Sequence, residues 1–464
     1  MQDCSAARIR AILFRGRTPA EGPPPSSLEP RIPIAMISTP EHDFDVLVIG
    51  GGPAGCAAAT VLAKKGRRVA ILEKQPRRRY SVGESLIPFC YDALERMGLA
   101  DQMEKQRFSF PKHSVQFASQ EGKVSRSFYF FQHTDHPRAK TWQVVRSEFD
   151  KLLRENAESS GVQFFEQTRA RELIFGERCE VLGVRANDPA GYELTFKAPV
   201  TIDATGRDTF AQGRLGWRIP DKKLRKMAIW TYFEGATRDE GYDEGTTTIA
   251  YLPNKGWFWN IPLPDDRVSV GLVADKDYLF GETKDLETIF MREVEKQDWL
   301  KGRLEDARRT DEFRVTSDFS YRSRHCASDG LVLVGDAFSF LDPVFSSGVY
   351  FALTSGVMAA DAVDEALEAG DTSAARFAEY GEAFRKQMEP MRKLVYAFYD
   401  DGFSFGKFLK EHPDLRPQVT DVLIGDLEKD YDDFFSVMGD FADLPEPLPH
   451  GAPIGADHTH SEQA

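Results

Sequence analysis

The sequence predicts an α/β fold, with a Rossmann-like nucleotide-binding domain, an antiparallel β domain and a helical C-terminal region. Three observations carry this prediction. A buried strand, a glycine-rich turn, a helix and a second strand follow one another over residues 44–73. Residues 246–252, 257–263 and 267–273 alternate as the strands of an antiparallel sheet do. From about residue 374 the pattern is largely helical.

The composition is typical of a globular protein that is large enough for two or three domains with cores of their own. Of its 464 residues, 41% are hydrophobic and 28% are charged. The 59 lysines and arginines stand against 73 aspartates and glutamates, so the formal net charge is −14. This balance argues against general nucleic-acid binding, which requires a basic face.

Cysteine usage and hydropathy indicate in which cellular compartment the protein is expected. Five cysteines are scattered along the chain, and no two of them form a Cys-x-x-Cys pair. This usage predicts reduced thiols in a cytosolic protein and no metal site. No apolar run approaches the roughly 18 residues that a membrane-spanning helix needs.

The first 40 residues are expected to be a disordered extension. They contain Arg8, Arg10, Arg15 and Arg17, followed by a Pro-Pro-Pro-Ser-Ser run, but not the apolar stretch of a signal peptide. Two other interpretations stay open: Met36 is the true start of the protein, or the segment is a transit peptide.

Residues 44–73 carry the signature of a dinucleotide-binding unit. The strand is followed by Gly50-x-Gly52-x-x-Gly55, a helix expected from Cys56 to Lys65, and a second strand that ends at Glu73. The glycines allow a tight turn, a close approach of pyrophosphate and packing of the helix on the sheet, while Glu73 accepts hydrogen bonds from ribose hydroxyls. An ordinary glycine turn is the alternative, but it would not explain the strands and the acid. The candidate cofactor-binding residues of this unit are Gly50, Gly51, Gly52, Ala54, Gly55 and Glu73.

Three later segments favour FAD over NAD as the cofactor. Residues 202–206, Ile-Asp-Ala-Thr-Gly, resemble the second nucleotide-contacting turn of two-domain flavoproteins. The Gly-Asp-Ala at 335–337 resembles their third motif, in which Asp336 would hold the ribityl chain. Residues 143–150 are expected to start a helix, and in aromatic-hydroxylase-like flavoproteins the arginine of this segment, here Arg146, reaches the FAD.

This resemblance covers about residues 43–365 and implies an aromatic-hydroxylase-like FAD domain that is built from discontinuous segments. We expect a substrate domain inserted into it and a separate C-terminal region. The expected boundaries are about 41–108, 141–212 and 312–373 for the FAD domain, about 109–140 and 213–311 for the antiparallel substrate domain, 374–442 for the helical C-terminal region, and 443–464 for a disordered tail.

Two motifs resemble those of flavin-dependent halogenases. Gly83-Glu84-Ser85 is similar to a turn of halogenases and geranylgeranyl reductases, in which Glu84 would bond flavin or adenosine hydroxyls; a helix cap at Ser85 is the alternative, and both can hold. Residues 257–262 match the Trp-x-Trp-x-Ile-Pro pattern of the halogenases. In that family the strand of Trp257 and Trp259 keeps the substrate away from the flavin. A pair of core side chains is the alternative.

A third halogenase pattern is Phe340-x-x-Pro343-x-x-Ser346-x-Gly348. In that family, residues at the places of Ser347 and Gly348 donate backbone N–H groups to the halide, and the backbone at the place of Val349 contacts the isoalloxazine. Ser346 is a candidate catalytic residue of the same turn. A turn that only packs on the flavin, as in related reductases and hydroxylases, is the alternative.

The fourth feature is Lys112, which opens a strand 28 residues after Glu84, where halogenases carry a lysine. A solvated surface lysine is the alternative. The chemistry assigns it a catalytic role by either of two routes. Its ammonium orients a hypohalous acid by hydrogen bonding, or its neutral amine, favoured by burial, forms a chloramine. His113 is a candidate base, with a surface histidine as the alternative.

The resemblance implies the reaction. FADH2 and dioxygen give a flavin C4a-hydroperoxide, chloride or bromide attacks it, and the hypohalous acid reaches Lys112 and halogenates an electron-rich arene. Because the chain shows no NAD(P)H-specific motif, a separate flavin reductase would supply FADH2. A flavin-dependent reductase of the geranylgeranyl reductase type and an aromatic monooxygenase are the alternative functions.

One departure from the pattern narrows the substrate. Halogenases of free tryptophan carry a glutamate just before the serine of the turn, where this chain has Phe345. The sequence is therefore more similar to the phenol and pyrrole halogenases. A phenol ionises and directs its own attack, so it needs less help from a protein base. We expect a phenolic or pyrrolic substrate, free or tethered to a carrier protein.

Overall fold

The computed structural model describes residues 41–77, 79–132, 136–252, 256–317 and 320–454. The expected N-terminal extension, with Met36, and the last part of the expected tail lie outside the described residues. Within the described ranges, no helix combines the length and the apolar character that crossing a membrane requires.

The nucleotide-binding part is built on a largely parallel sheet, as predicted. Val46–Ile49 lies in the middle and pairs in parallel with Val200–Asp203 on one side and Val69–Glu73 on the other. These strands are buried along their length, which explains why they are continuous apolar runs. From edge to edge, the strands are Ala327–Ser328 (antiparallel to its neighbour), Leu331–Leu333, Val200–Asp203, Val46–Ile49, Val69–Glu73 and Gln163–Glu166.

Two helices pack against each other beside this sheet. Pro53–Lys64 begins directly after the glycine turn, three residues earlier than expected, with Gly52 as its N-cap. Gly348–Glu368 packs on it. At their contact a Cβ on Gly356 would lie 2.4 Å from the carbonyl oxygen of Ala54, so glycine is required for this approach. Both helices begin at the carboxyl edge of the sheet and bring there N–H groups that have no acceptor within the helix.

The second large sheet is mostly antiparallel, as predicted. Thr247–Tyr251, Trp257–Pro262 and Arg267–Asp275 are consecutive antiparallel neighbours. Most of their side chains are buried on both faces, so the sheet is a packed wall. In order, the strands are Arg308–Arg309, Lys226–Glu234, Arg267–Asp275, Trp257–Pro262, Thr247–Tyr251, Ser114–Ala118 and Phe128–Tyr129, and Arg314–Ser317 also pairs with Lys226–Glu234.

The candidate catalytic lysine lies in a two-stranded sheet, in which Ser109–Lys112 pairs with Thr141–Val144. Helix Arg146–Ser159 follows, and it begins inside the predicted segment 143–150, whose first two residues belong to the strand instead. The domain boundaries stay a prediction.

Two smaller sheets complete the strands of the described residues. One contains Glu41–Asp43, Glu193–Lys197, Val181–Asn187 and Arg169–Phe175, and the other contains Arg218–Pro220, Tyr321–Ser323 and Ser339–Phe340. The other α-helices are Cys90–Met97, Ala100–Met103, Phe210–Arg214, Lys276–Phe280, Leu286–Val294, Asp298–Arg303, Ala378–Tyr399, Phe405–Glu411, Arg416–Ile424 and Asp432–Gly439.

The chain after residue 442 is held in place as far as residue 454, so the prediction of a disordered tail from 443 is wrong for this part. Arg385 donates from Nη1 to the carbonyl oxygen of Leu448 at 2.9 Å. The N–H of Gly451 donates to the carbonyl oxygen of Arg324 at 3.1 Å. Proline and glycine content predicted the absence of regular structure, but tertiary hydrogen bonds order a loop without making it a helix or strand.

Candidate active site

A cavity of about 550 Å³ lies between the carboxyl edge of the parallel sheet and the antiparallel sheet. Segments that are far apart in the chain meet in its wall. The candidate residues that line it are Gly50, Gly52, Ala54, Glu73, Glu84, Arg146, Trp257, Trp259, Asp336, Ser346, Gly348 and Val349. Four others, Gly51, Gly55, Lys112 and Ser347, lie directly behind lining residues.

The glycine turn forms one end of the cavity. Gly50 has a φ of +104°, and a Cβ on it would lie 2.4 Å from the carbonyl oxygen of Ala204. A Cβ on Gly55 would lie 2.0 Å from the carbonyl oxygen of Gly50, so the helix can start here only with glycine at 55. The turn therefore presents bare backbone and the first N–H groups of a helix, which suits a pyrophosphate.

Glu73 is fixed beside this turn. Its Oε2 accepts hydrogen bonds from the N–H of Gly51 at 2.8 Å and from Arg79 at 3.3 Å. Its Oε1 accepts from the N–H of Gln75 at 2.7 Å. The carboxyl group is thus held in one orientation at the cavity wall, with acceptor capacity left for ribose hydroxyls.

Arg146 and Asp336 lie in the middle of the cavity wall. The guanidinium of Arg146 is anchored by Asp150, with Nε to Oδ1 at 3.0 Å, and by the carbonyl oxygens of Val82 and Gly83. Burial raises the pKa of Asp336 to about 6, against the opposing charges of Arg207 and Arg146. An anchored cation and a carboxyl group at this place fit the phosphate and ribityl part of a flavin nucleotide.

These residues fit FAD. The bare turn at Gly50 and Gly55 admits a pyrophosphate, and Glu73 stands where the adenosine ribose would lie. From there the wall continues past Arg146 to Trp257 and Val349, where flat apolar surface suits an isoalloxazine ring.

Glu84 faces the cavity but is bound by protein groups. The hydroxyl of Tyr232 donates to its Oε1 at 2.6 Å, and Tyr232 in turn lies 2.8 Å from the hydroxyl of Tyr80. Burial raises the pKa of Glu84. The neighbouring Ser85 is not a helix cap, because the helix that follows begins at Cys90.

Lys112 is 2% exposed, so the surface alternative is wrong for it. Its Nζ donates to the Ser85 hydroxyl and to the Leu86 carbonyl oxygen, each at 2.9 Å. Burial lowers the pKa of Lys112 to about 7. His113, between strands Ser109–Lys112 and Ser114–Ala118, is partly exposed and lies edge-on against the exposed Tyr242 at 5.1 Å, which favours the surface interpretation for this histidine.

The two tryptophans form the apolar wall of the cavity. Their ring centroids are 6.1 Å apart, and both are buried. The Nε1 of Trp259 donates to Ser269 at 3.1 Å, and the Nε1 of Trp257 donates to the Tyr399 hydroxyl at 2.8 Å. A Cβ on Gly271 would lie 2.0 Å from the Trp259 ring, so this glycine makes room for the indole. The pair is both core and cavity wall, and the two interpretations of the motif are compatible.

The third motif forms a turn that ends in the helix from Gly348. Ser346 donates its N–H to the carbonyl oxygen of Pro343 at 3.1 Å and has a φ of +57°, a left-handed conformation that is uncommon for serine. Ser347 is the N-cap of the helix and is buried. The N–H groups of Ser347 and Gly348 therefore lie at the positive end of a long helix dipole, at the cavity wall.

Phe345 connects this turn to the C-terminal helices. It is 4% exposed, and its ring packs edge-on against Phe398 at 5.8 Å and Phe405 at 6.3 Å. Phe398 also packs edge-on against Trp257 at 6.2 Å. The C-terminal helices thus pack over the turn of residues 340–348 and over the two-tryptophan strand.

Sequence reasoning missed three groups of this site. Ser85 was considered only as a cap, although it is the link between Lys112 and the cavity. Asp342 stands inside the third motif, so its position was a signal that could have found it. Tyr399 gave no signal, because its contact with Trp257 joins residues 142 positions apart.

Family models match most of the described chain. The model for tryptophan halogenases matches residues 135–402. The model for FAD-dependent oxidoreductases matches residues 45–223, which include the glycine turn and Glu73.

Characterised relatives extend the match. The chain is 30% identical to the 1H-pyrrole-2-carbonyl-(peptidyl-carrier protein) chlorinase of Pseudomonas fluorescens, over 83% of this chain and 90% of the relative. It is 31% identical to the corresponding brominase of Pseudoalteromonas luteoviolacea, over 82% of this chain and 92% of the relative. Among solved structures, the flavin-dependent brominase Bmp2 superposes with a TM-score of 0.78 at 28% identity, over 86% of this chain and 99% of that chain.

Proposed function

Because this chain belongs to the flavin-dependent halogenase family, we propose that it halogenates a pyrrole that is attached to a carrier protein. The observation that carries the substrate class is Phe345, which takes the place before Ser346 in the turn of residues 340–348 and is buried against Phe398 and Phe405. A buried phenyl ring supplies neither a base nor a charge. The arene must therefore bring its own electron density, as a pyrrole does.

The FAD of this enzyme, in its reduced form and with dioxygen, supplies the oxidising equivalent that converts a halide into a hypohalous acid. Gly50, Gly52, Glu73, Arg146 and Asp336 would hold it. The remaining chemistry belongs to the chain's own residues, which bind the halide, take up the hypohalous acid and keep the arene in place.

The halide site would be formed by the turn before helix Gly348–Glu368. Ser347 and Gly348 contribute N–H groups at the positive end of that helix, which attract an anion without a metal or a fixed cation. The left-handed Ser346 directs the chain into the helix, so it is a positioning element of this site. Chloride and bromide both suit such a site.

Lys112 would receive the hypohalous acid as a neutral amine. A neutral amine has two N–H donors, and Lys112 has two acceptors in the structure, the Ser85 hydroxyl and the Leu86 carbonyl oxygen. Its lone pair then remains for reaction. Burial, which lowers the pKa to about 7, favours the same form. The amine and the hypohalous acid give a haloamine and water, and transfer of the halogen to the arene with loss of the ring proton restores the amine.

Trp257 and Trp259 would separate the two halves of the reaction. They fill the wall beside the isoalloxazine position, so an arene could not stack there and be hydroxylated. The oxidant would have to leave the flavin side and reach Lys112 beyond Ser85. This division favours a halogenase over an aromatic monooxygenase.

A carrier-bound substrate is favoured by the enclosure of the lysine. Lys112 is 2% exposed, and the C-terminal helices cover the halide turn and Trp257 through Phe398. An arene on a flexible arm can be delivered to such an enclosed group. The two relatives that act on carrier-bound pyrroles match this chain along most of its length. A phenol is the second candidate substrate, because a phenol also brings its own electron density and needs no base at the place of Phe345.

We further propose that a separate flavin reductase supplies FADH2, since the sequence shows no NAD(P)H-specific motif. A cytosolic location is supported by the free thiols of Cys56, Cys90 and Cys326, which are all buried and reduced. Reduced flavin and carrier proteins would both be available in the cytosol.

The test uses the purified protein with FAD, a flavin reductase, NADH and bromide, which is the more easily oxidised halide. Carrier-bound pyrrole, free pyrrole carboxylate and a panel of phenols are offered in parallel, and products are read by mass spectrometry. We expect a brominated carrier-bound pyrrole. Bromination of free phenols alone would replace the pyrrole by the second candidate.

Three other results would overturn the proposal. A hydroxylated arene would indicate a monooxygenase. Saturation of an isoprenoid double bond without halogenation would indicate a reductase of the geranylgeranyl reductase type. If flavin is oxidised and hypobromous acid is released, but no arene in the panel is brominated, then the proposed substrate class is wrong.

A further inference from the structure

A chain of three buried side chains joins the two-tryptophan strand, the C-terminal helix and the halide turn. The Nε1 of Trp257 donates to the Tyr399 hydroxyl at 2.8 Å. The Tyr399 hydroxyl donates to Oδ1 of Asp342 at 3.3 Å. Trp257 lies at the cavity wall, Tyr399 is the last residue of helix Ala378–Tyr399, and Asp342 stands inside the turn of residues 340–348.

Asp342 also shapes the turn from within. Its Oδ1 accepts the N–H of Val344 at 2.9 Å, which closes the backbone just before Phe345 and Ser346. Its Oδ2 is buried and finds no hydrogen-bond donor among the described residues. A buried carboxyl oxygen without a donor is costly when it is charged, so the group is one whose ionisation the surroundings resist.

The charged and titratable groups around Asp342 come from three elements. Lys226 lies over the Tyr399 ring at 4.7 Å and is paired with Asp275 at 2.8 Å. Asp221 is bonded by the Tyr396 hydroxyl at 2.7 Å. Burial is the main cause that raises the pKa of Asp342 to about 7; Lys226 opposes the rise and Asp221 adds to it.

We propose that Asp342 and Tyr399 are positioning residues of the halide site, through which the docking of the C-terminal helix sets the conformation of the halide-binding turn. This rests on the proposed function, since it assumes that the N–H groups of Ser347 and Gly348 receive the halide. The Tyr399 hydroxyl donates a hydrogen bond to the Asp342 carboxyl group, which in turn accepts the N–H of Val344. The turn then delivers Ser347 and Gly348 in a fixed orientation.

The Tyr399 hydroxyl also fixes Trp257, which belongs to the cavity wall. Because Trp257 donates to Tyr399, the orientation of its ring and the shape of the turn depend on one hydroxyl. Loss of that hydroxyl should loosen both. Ionisation of Asp342 should weaken halide binding as well, because a negative charge would then stand in the same turn as the anion.

The experiment measures bromide binding to the oxidised, FAD-loaded protein by difference absorbance of the flavin, and bromide KM and kcat in the bromination assay. The variants are Tyr399→Phe and Asp342→Asn. Tyr396→Phe is the matched control, because it removes a tyrosine-to-aspartate hydrogen bond of the same helix that involves neither Asp342 nor Trp257.

We expect Tyr399→Phe to raise the bromide Kd and KM about tenfold, the effect of losing one buried hydrogen bond, with a smaller change in kcat. In the unchanged protein the bromide Kd should rise as the pH passes through about 7, where Asp342 ionises. Asp342→Asn keeps a carbonyl oxygen for Val344 but cannot ionise, so its Kd should rise less with pH than that of the unchanged protein. Tyr396→Phe should match the unchanged protein.

The proposal is wrong if both variants bind bromide as the unchanged protein does and with the same pH dependence. If Tyr399→Phe does not fold, the pH dependence of the unchanged protein against Asp342→Asn still decides. Failure of the proposed function is recognised separately: the unchanged protein would then bind no bromide and brominate no arene. If the unchanged protein binds bromide and brominates an arene, and both variants behave as it does, then only the proposed role of Asp342 and Tyr399 is wrong.

Discussion

Lys112 and Ser85 are joined by a hydrogen bond of 2.9 Å from Nζ to Oγ, and only the serine reaches the cavity. The Ser85 hydroxyl also lies 2.9 Å from the hydroxyl of Thr247, which itself accepts from Gln143 at 2.8 Å. The lysine is therefore held at the end of a polar network that begins at the cavity wall. Any oxidant that forms in the cavity meets Ser85 before it meets Lys112.

The first prediction concerns Lys112→Met, which keeps the length of the side chain and removes the amine. We expect enzyme-directed brominated product to fall about a hundredfold or more in the presence of a scavenger of free hypobromous acid, while flavin oxidation continues. Product is measured by mass spectrometry and flavin oxidation by absorbance. Lys123→Met, at an exposed position, is the control and should leave both unchanged. Bromination by the Lys112 variant at the normal rate would show that another group carries the halogen.

The same variant should be more stable than the unchanged protein. Burial lowers the pKa of Lys112 from an ordinary 10.5 to about 7, so the folded protein binds fewer protons at this site than the unfolded chain between these values. The lysine therefore costs stability as the pH falls from above 10.5 to below 7. The gain in Tm of Lys112→Met should grow from pH 9 to about pH 6, as measured by calorimetry. An equal Tm difference at both pH values would contradict the neutral lysine.

The third prediction concerns the pH dependence of the bromination rate. If the neutral amine takes up the hypohalous acid, kcat for bromination should rise with pH through about 7, in the direction of deprotonation of Lys112. The profile is measured at saturating bromide, because the ionisation of Asp342 acts on bromide binding in the opposite direction. A kcat that falls through the same range would favour the ammonium route, in which Lys112 orients the hypohalous acid by hydrogen bonding.

The glycine turn, the two-tryptophan strand and the turn of residues 340–348 could be predicted from local sequence patterns. Each of these is a short segment whose geometry follows from its own residues: Gly50 needs a positive φ, and Trp257 and Trp259 share one side of a strand. The prediction for Lys112 depended on resemblance, since a lone lysine before a strand is ordinarily a surface residue. Its burial comes from Ser85, Leu86 and Phe130, which no local pattern joins to it.

Contacts between distant segments were the part that the sequence could not predict. Asp342 and Tyr399 are 57 residues apart, and their bond exists only because the C-terminal helix lies on the turn. The loop around Gly451 is ordered for a similar reason, since its partner Arg324 belongs to another part of the chain. Composition indicates whether a segment forms regular structure, but packing decides whether an irregular segment is fixed.

The cofactor site gives the fourth prediction. In Gly50→Ala the new Cβ would lie 2.4 Å from the carbonyl oxygen of Ala204, at a φ of +104° that alanine rarely adopts. The turn must shift, so the protein should be purified with much less FAD, as read from the ratio of flavin to protein absorbance. Gly439→Ala, whose Cβ meets nothing within 4 Å, is the control and should retain the full amount. Full FAD occupancy in the Gly50 variant would contradict the assignment of this turn to the pyrophosphate.

The last prediction tests the tryptophan wall through a residue that does not touch the substrate. In Gly271→Ala the new Cβ would lie 2.0 Å from the ring of Trp259, which must then turn away from the neighbouring strand Arg267–Asp275. We expect a loss of about 1 to 3 kcal/mol in the free energy of unfolding, as for other overpacked cores.

The displaced ring also opens the wall beside the flavin, so the fraction of oxidised flavin that ends in brominated product should fall and hydroxylated arene or hydrogen peroxide should appear. Gly302→Ala, in an open position of a helix, is the matched control and should be neutral or slightly stabilising. Both variants are compared by denaturant unfolding and by product analysis. If Gly271→Ala lost stability but kept every oxidised flavin coupled to bromination, then Trp259 would be a core residue and the separation of arene from flavin would depend on Trp257 alone.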